Sequence, residues 1–256
     1  MKAVILAGGF GTRLSEETHL KPKPLVEIGG RPIIWHIMKY LNSYGIKDFV
    51  ICCGYKGYMI KEYFKNYNLH TSDIIFDISN NTHKIIKKSP ENWNVACIDT
   101  GEDTMTGGRL KRVKEFIKDE KQFLFTYGDG LCDVQLNELV EFHIKHKKLA
   151  TVTGVLPPGR FGALKIEDNL VSKFKEKPEG DGERINGGYF ILSPKVIDYI
   201  KDDKSIWERE PLEKLAKDKE LTCWSHNNFW IPMDTLRDKY LLEDLWKNHK
   251  APWKVW

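Results

Sequence analysis

One turn near the start limits what this 256-residue chain can fold into. The apolar run Val4–Leu6 reads as a buried strand and passes straight into Ala7-Gly8-Gly9-Phe10-Gly11-Thr12-Arg13. Glycines let a backbone approach a ligand and leave N–H groups exposed in a row, which suits phosphate oxygens. A tight turn with Arg13 in solvent is the plainer reading, and three glycines followed by Thr and Arg fit it less well. No GxxxxGK[ST] P-loop occurs. Gly9-Phe10-Gly11 has Leu14 where a dinucleotide fingerprint wants its third glycine. Glu27 could pose as the ribose acid of such a site, but Lys21-Pro22-Lys23-Pro24 prevents the regular helix that it needs. Each residue before a proline is pushed to an extended conformation. Two lysines therefore sit on a stiff segment from which an ammonium can be aimed at a triphosphate. A KPKP segment taken alone is commonly a solvated basic loop.

Beyond this turn, apolar strands alternate with segments of helical period. Pro32 opens a helix with Ile33, Ile34, Ile37 and Leu41 on its apolar face; proline fits a first helical position because its missing N–H is not needed there. Strands are expected at Phe49–Cys53, Asp73–Ile78, Asn94–Ile98 and Phe123–Tyr127. Helices are expected over Tyr58–Tyr67, just after Gly107-Gly108, and after Asp133, which can cap a helix carrying Leu136, Leu139, Val140 and Ile144. Alternation to about residue 150 predicts β-α-β units around a mostly parallel sheet flanked by helices, an α/β fold. The remainder is mixed: a strand at Thr151–Leu156, a hairpin of Ala163–Ile166 with Val171–Phe174, and a strand at Gly188–Leu192. Helical stretches are expected from Pro194 and Trp207, strands at Thr222–Ser225 and Phe229–Ile231, and a last amphipathic helix over Thr235–Lys247. No Pro/Gly/Ser linker separates the halves. A single domain over 1–256 is expected, with a nucleotide-binding part at 1–150 and additions at 151–256.

Composition excludes several classes. Eight Trp, ten Tyr and twelve Phe supply more burial than a disordered chain carries. No apolar run approaches the ~18 residues of a membrane span. A net charge of +4 from 40 basic and 36 acidic residues gives no reason to expect nucleic acid. The five cysteines form no CxxC pair, which argues against disulfides and a zinc site. The start does not read as a signal peptide, so a reduced, cytoplasmic enzyme is expected.

Asp129 ends a buried strand between two glycines, where open α/β sheets place ligands, although D-G is also a common turn pair. Asp234 ends the run Phe229–Met233 and serves equally well as an N-cap. Glu176 and Lys177 lie in a charged surface run. Arg109, with Lys111 and Arg112, puts positive charge at the positive end of a helix, which a bound anion or base would explain. Thr104 is a plausible hydrogen-bonding neighbour. Cys52, Cys53 and His36 read as core residues, and nothing singles out His226. The aromatic tail with Trp246, Trp253 and Trp256 is suited to covering the core or a subunit contact.

In order along the chain, GGFGTRL, KPKPLVEIGGRPIIWH, Thr106-Gly107-Gly108-Arg109-Leu110, Tyr127-Gly128-Asp129-Gly130, Glu176-Lys177-Pro178 and Asn186-Gly187-Gly188 resemble the signature of the sugar-1-phosphate nucleotidylyltransferases. Arg109 departs from many relatives, which carry a small apolar residue there. MTGGRLKR, PPGRFGAL, WIPMDTLRDK and the end APWKVW are most similar to the members that use CTP and glucose 1-phosphate. The resemblance implies a Rossmann-like nucleotidyltransferase fold and attack of the sugar phosphate on the α-phosphorus with loss of pyrophosphate. It implies catalytic Arg13, Lys23 and Asp129, and Mg²⁺ on Asp129 and Asp234. Leu6, Ala7, Gly8, Gly9, Gly11, Thr12, Thr104, Gly107, Arg109 and Gly128 would join Arg13, Lys23 and Asp129 on the nucleotide. Glu176, Lys177, Asn186 and Gly187 would bind the sugar phosphate. A homo-oligomer, a hexamer by resemblance, and a product feeding dideoxyhexose and surface-polysaccharide synthesis, including O-antigen, are also implied. A UTP- or dTTP-using relative, a non-catalytic nucleotide-sugar sensor and, more remotely, a dinucleotide oxidoreductase remain as alternatives.

Overall fold

A computed structural model describes residues 1–87, 91–157, 163–167, 170–175 and 183–256, with the backbone alone considered for 163–167 and 172–175. Seven strands form the main sheet: β1 (Ala3–Ala7), β2 (Asp48–Cys53), β3 (Asn94–Asp99), β4 (Phe123–Tyr127), β5 (Ala150–Val155), β6 (Ile185–Leu192) and β7 (Leu221–His226). Their spatial order is β7-β5-β6-β4-β1-β2-β3. β4, β1, β2 and β3 run parallel, as do β5 and β7, and β6 lies antiparallel between β4 and β5. Strands from both halves of the sequence thus share one sheet.

Period-two alternation divides the buried side chains between the sheet's faces. Ala3, Ile5, Phe49, Ile51, Leu124 and Ile191 belong to one core; Val4, Leu6, Val50, Phe125 and Phe190 belong to the other. Helix α1 (Ile33–Ser43) closes the first core with Ile33, Ile34, Ile37 and Leu41, all fully buried. Each such side chain contributes about 1.5–3 kcal/mol relative to exposure. Pro32 caps this helix rather than opening it. Helix α2 (Gly57–Lys65) packs beside β2 and β3.

The C-terminal tail covers the first core. Trp253 is fully buried and its indole N–H donates to His36 Nδ1 at 3.3 Å, while His36 Nε2 donates to the Ile28 carbonyl at 2.8 Å. Trp246 lies against Gly29, whose φ of 58° and lack of a side chain make room for the indole.

Four more local expectations change. Asp73–Asp77 pairs with Thr82–Lys87 in a separate hairpin outside the main sheet, because its residues are mostly exposed and pack on neither core. Helix α3 (Thr106–Arg112) contains Gly107 and Gly108, and a break at Val113 separates it from Lys114–Ile117. Helix α4 (Leu136–His146) is preceded by Gln135 without a side-chain cap; Asp133 Oδ1 instead lies 3.0 Å from His226 Nε2. Trp207 is a buried core residue, and helix α5 begins later, at Glu210–Lys217, with Pro211 in its first turn. The expected hairpin forms over Ala163–Glu167 and Leu170–Lys175. Its expected turn residues Asp168 and Asn169 lie outside the described residues.

Candidate active site

A cleft of about 480 Å³ opens at the edge where β1 and β4 end. Because β6 runs antiparallel to β4, its first residues reach the same edge, so Asn186 and Gly187 face the ends of the parallel strands across the cleft. This is where open α/β sheets hold ligands.

The first turn forms one wall. Gly11 has φ 65°, a left-handed conformation that glycine adopts without strain, and starts a short 3-10 turn at Thr12–Leu14. Thr18 Oγ1 donates to the Gly11 carbonyl at 3.0 Å and fixes the turn from behind. Leu6, Ala7, Gly9, Gly11, Thr12 and Arg13 line the cleft.

Lys23 follows Pro22, whose φ of −65° and extended ψ carry the chain back under the turn. The lysine is only 8% exposed, and its ammonium donates to Asp129 Oδ2 at 2.6 Å and Asp234 Oδ1 at 2.7 Å. Burial alone would lower its pKa; the two carboxylates outweigh that penalty and hold it above the usual 10.5. Arg13, three-quarters exposed, donates to Asp234 Oδ2 at 2.6 Å. Lys21 instead pairs with Glu27 at 3.2 Å, away from the carboxylates.

A short ribbon sets the distance between the acids. Gly130–Cys132 pairs antiparallel with Trp230–Pro232, and the Met233 amide donates to the Asp129 carbonyl at 2.8 Å. Asp129 precedes one strand of the ribbon and Asp234 follows the other, so the pairing brings two residues distant in sequence onto one ammonium. The capping alternative for Asp234 fails, because Thr235 is the N-cap of helix α6 (Leu236–Lys247), in a reciprocal capping box with Asp238.

The two carboxylates suit a hard divalent cation: each already turns an oxygen toward the same positive charge. No cluster of three or more His, Cys, Asp or Glu side chains suited to a metal occurs among the described residues. An ion on these two carboxylates would thus complete its shell with phosphate oxygens and water, as Mg²⁺ commonly does.

Arg109 occupies a different place from the one its charge suggested. It is 4% exposed and lies behind the glycine turn. Its guanidinium donates to the carbonyls of Gly8, Cys53, Gly101 and Glu102 and to Thr100 Oγ1, at 2.6–3.3 Å. A Cβ on Gly8 would fall 2.3 Å from Arg109 Nη1, so the glycine is required by this arginine as well as by any ligand. The expectation that Arg109 explains its charge through a bound anion is therefore revised: backbone oxygens take up its donors. Gly8, Thr104 and Gly107 likewise stand outside the cleft lining. The amides of Gly107 and Gly108 are spent on the Ser205 carbonyl, at 2.9 and 3.2 Å, and Thr106 is the residue that α3 turns toward the cleft.

Gly128, Asp129, Asn186 and Gly187 line the site as expected from sequence. Glu176 and Lys177 lie outside the described residues. Tyr127 and Trp230 line the cleft without having been singled out for their side chains, and Glu208 was not anticipated at all. The Tyr127 hydroxyl donates to Glu208 Oε1, and burial, followed by the nearby Glu208 charge, raises its pKa above the ordinary value. Only its place in Tyr127-Gly128-Asp129 hinted at this tyrosine; Glu208 comes from a turn with no sequence signature.

Comparison with known proteins shows the family. The nucleotidyl transferase family profile matches residues 2–225. Glucose-1-phosphate cytidylyltransferase of Salmonella typhi is 60% identical over 256 residues, covering all of both chains. The protein of the same name from Salmonella typhimurium strain LT2 is also 60% identical over the full length of both. Among solved structures, HddC from Yersinia pseudotuberculosis complexed with GMP-PN superposes with a TM-score of 0.69 at 27% identity, covering 96% of this chain and 99% of that one. By sequence and fold, the chain belongs to the nucleotidyl transferase family.

Proposed function

We propose that the chain transfers the cytidylyl group of CTP to α-D-glucose 1-phosphate, releasing pyrophosphate. The observation that carries this reading is the convergence of Lys23, Arg13, Asp129 and Asp234 at the mouth of the glycine turn, in a chain 60% identical end to end to glucose-1-phosphate cytidylyltransferases. A sensor that only bound a nucleotide sugar would not need these four charged groups at one point.

Phosphoryl-type transfer asks the protein mainly for positioning and charge neutralisation. The turn from Gly9 to Arg13 presents backbone N–H groups and an exposed guanidinium to the triphosphate. Arg13, three-quarters exposed, can turn from Asp234 to a phosphate, exchanging one anionic acceptor for another. Lys23 holds its proton against burial and places a fixed positive charge beside the reacting phosphorus. Asp129 and Asp234 would hold Mg²⁺, which would supply charge neutralisation for the transfer. Asn186 and Gly187 on β6 form the wall nearest the sugar. Lys177 is proposed, from sequence resemblance, to pair with the sugar's phosphate.

Two further proposals have structural support. Ile75, Phe76, Ile78 and Ile86 are exposed on and beside the 73–87 hairpin, which supports a homo-oligomer, a hexamer by resemblance, readable by light scattering. All five cysteines are unpaired, which supports a reducing, cytoplasmic setting.

The reading is tested by pyrophosphate release from a panel of nucleoside triphosphates and sugar 1-phosphates with Mg²⁺ present or chelated. CTP with glucose 1-phosphate should give the highest kcat/KM, and chelation should stop turnover. Equal kcat/KM for CTP and UTP would remove the cytidylyl assignment.

A further inference from the structure

Besides the charges gathered at the glycine turn, the cleft is lined by a carboxylate that phosphate chemistry does not call for. Glu208 is exposed there, just before α5, alongside Thr106, Tyr127, Asn186 and Trp230. Its hydrogen bonds run in one direction only. The Trp207 amide donates to Thr106 Oγ1 at 2.9 Å, and that hydroxyl donates to Glu208 Oε2 at 2.6 Å. Asn186 Nδ2 donates to the Tyr127 hydroxyl oxygen at 3.2 Å, and that hydroxyl donates to Glu208 Oε1. Each hydroxyl already accepts a proton from a neighbour, so each delivers its own to the same acid.

An ionised carboxylate offers about four lone-pair positions, and two hydroxyls occupy one on each oxygen. The remaining ones take no donor among the described residues, and Glu208 lines the cleft. Among the described residues Glu208 makes no salt bridge. Such a group repels phosphate and binds O–H donors. The same cleft is lined by Trp230, whose indole N–H donates to the Gly187 carbonyl at 2.6 Å. A flat apolar ring and an acid in one cleft complement a pyranose, whose C–H face packs on the ring while its hydroxyls donate. Tyr127, which holds this acid, is separated from Asp129 by one glycine, and Glu208 and Asp129 line the same cleft.

We propose that Glu208 reads the ring hydroxyls of the hexose phosphate, held in position by Tyr127 and Thr106. The inference rests on the reading of the cleft as a sugar-1-phosphate transferase site and names the residue that selects the sugar.

Initial rates are measured for the wild-type enzyme, Glu208→Gln and Tyr127→Phe, with CTP, glucose 1-phosphate and its 2-, 3-, 4- and 6-deoxy analogues. Glu208→Gln should raise the KM for glucose 1-phosphate by on the order of tenfold or more, the worth of a hydrogen bond to a charged acceptor, and leave the KM for CTP within about twofold. At least one deoxy analogue should be penalised by the wild-type enzyme and not by Glu208→Gln, since the hydroxyl and its acceptor act as one pair. Tyr127→Phe, which leaves the acid but loosens it, should raise the same KM by less. A folded Glu208→Gln variant with unchanged KM for the hexose phosphate, with KM for CTP raised equally, or with every deoxy penalty intact would overturn the proposal. Failure of the wild-type enzyme itself to use glucose 1-phosphate would count against the proposed function instead.

Discussion

Lys23 Nζ lies 2.6 Å from Asp129 Oδ2, although 106 residues separate them in the chain. A nearly buried ammonium here keeps two carboxylates together that would otherwise repel. Its raised pKa sets the sign of its linkage to stability: the contribution is fully present below about 10.5 and is lost as pH rises through the higher folded value. It stays charged throughout the neutral range. Lys23→Ala should therefore depress kcat by roughly 10²–10³ through lost transition-state charge stabilisation, with a smaller effect on CTP affinity. Lys21→Ala, which removes only a pair with Glu27, should change either parameter by less than about threefold. Steady-state kinetics beside CTP binding by calorimetry decides the point; a more damaged Lys21 variant would contradict the assignment.

Asp129→Asn and Asp234→Asn keep shape and remove charge. Each should lower Mg²⁺-dependent turnover by at least about a hundredfold, because an amide oxygen is a poor substitute for a carboxylate on a hard cation. The two differ in a second readout. Asp234 also holds Arg13, so only its variant frees that guanidinium in the unliganded protein. Isothermal titration with Mg²⁺ and CTP, together with circular dichroism, separates lost metal binding from lost fold.

How much of this arrangement was legible in the sequence depended on whether local pattern or tertiary pairing set it. The strands β1, β2 and β4 and helix α1 could be read because alternation and helical period act on neighbouring residues. The positions of Asp129 and Asp234 could be read as strand ends, but their convergence required the ribbon of Gly130–Cys132 with Trp230–Pro232. Arg109 was misjudged for a physical reason. A basic side chain at a helix start suggests an outside anion, and nothing local tells that carbonyls from Gly8, Cys53, Gly101 and Glu102 will surround it. Glu208 was invisible because two remote hydroxyls, on β4 and α3, orient it.

That buried guanidinium makes a prediction of its own. Arg109→Ala would strand several carbonyls in the interior and leave a hole beneath the glycine turn. The expected loss of stability is about 3–5 kcal/mol, the range seen when a buried charged network loses its centre. CTP affinity should fall with it, since the Gly8 carbonyl is one of its anchors. Arg109→Lys should recover little, because an ammonium lacks the planar fork that reaches oxygens on several segments at once. Urea melts with and without CTP measure both effects; a variant as stable as the wild type would show that the turn holds its shape unaided.

His36 gives a pH dependence unrelated to catalysis. Burial, offset in part by backbone hydrogen bonding and reinforced by nearby Arg31 and Lys254, lowers its pKa from 6.5 to about 4. Its two nitrogens are committed in opposite senses: Nε2 donates to the Ile28 carbonyl, and Nδ1 accepts from Trp253. A proton on Nδ1 would face another N–H donor inside the aromatic cluster of Trp246 and Trp253. The unfolded chain takes up that proton near pH 6.5 and the folded chain only near 4. Stability from this group is therefore complete above pH 6.5 and declines as pH falls from 6.5 to 4, by about 3 kcal/mol in all. His36→Gln, which keeps a donor and an acceptor without titrating, should start less stable at pH 7.5 and lose less on acidification. Denaturant midpoints for both proteins between pH 7.5 and 4.5 provide the comparison; parallel slopes would assign the acid sensitivity to other groups and release His36 from this role.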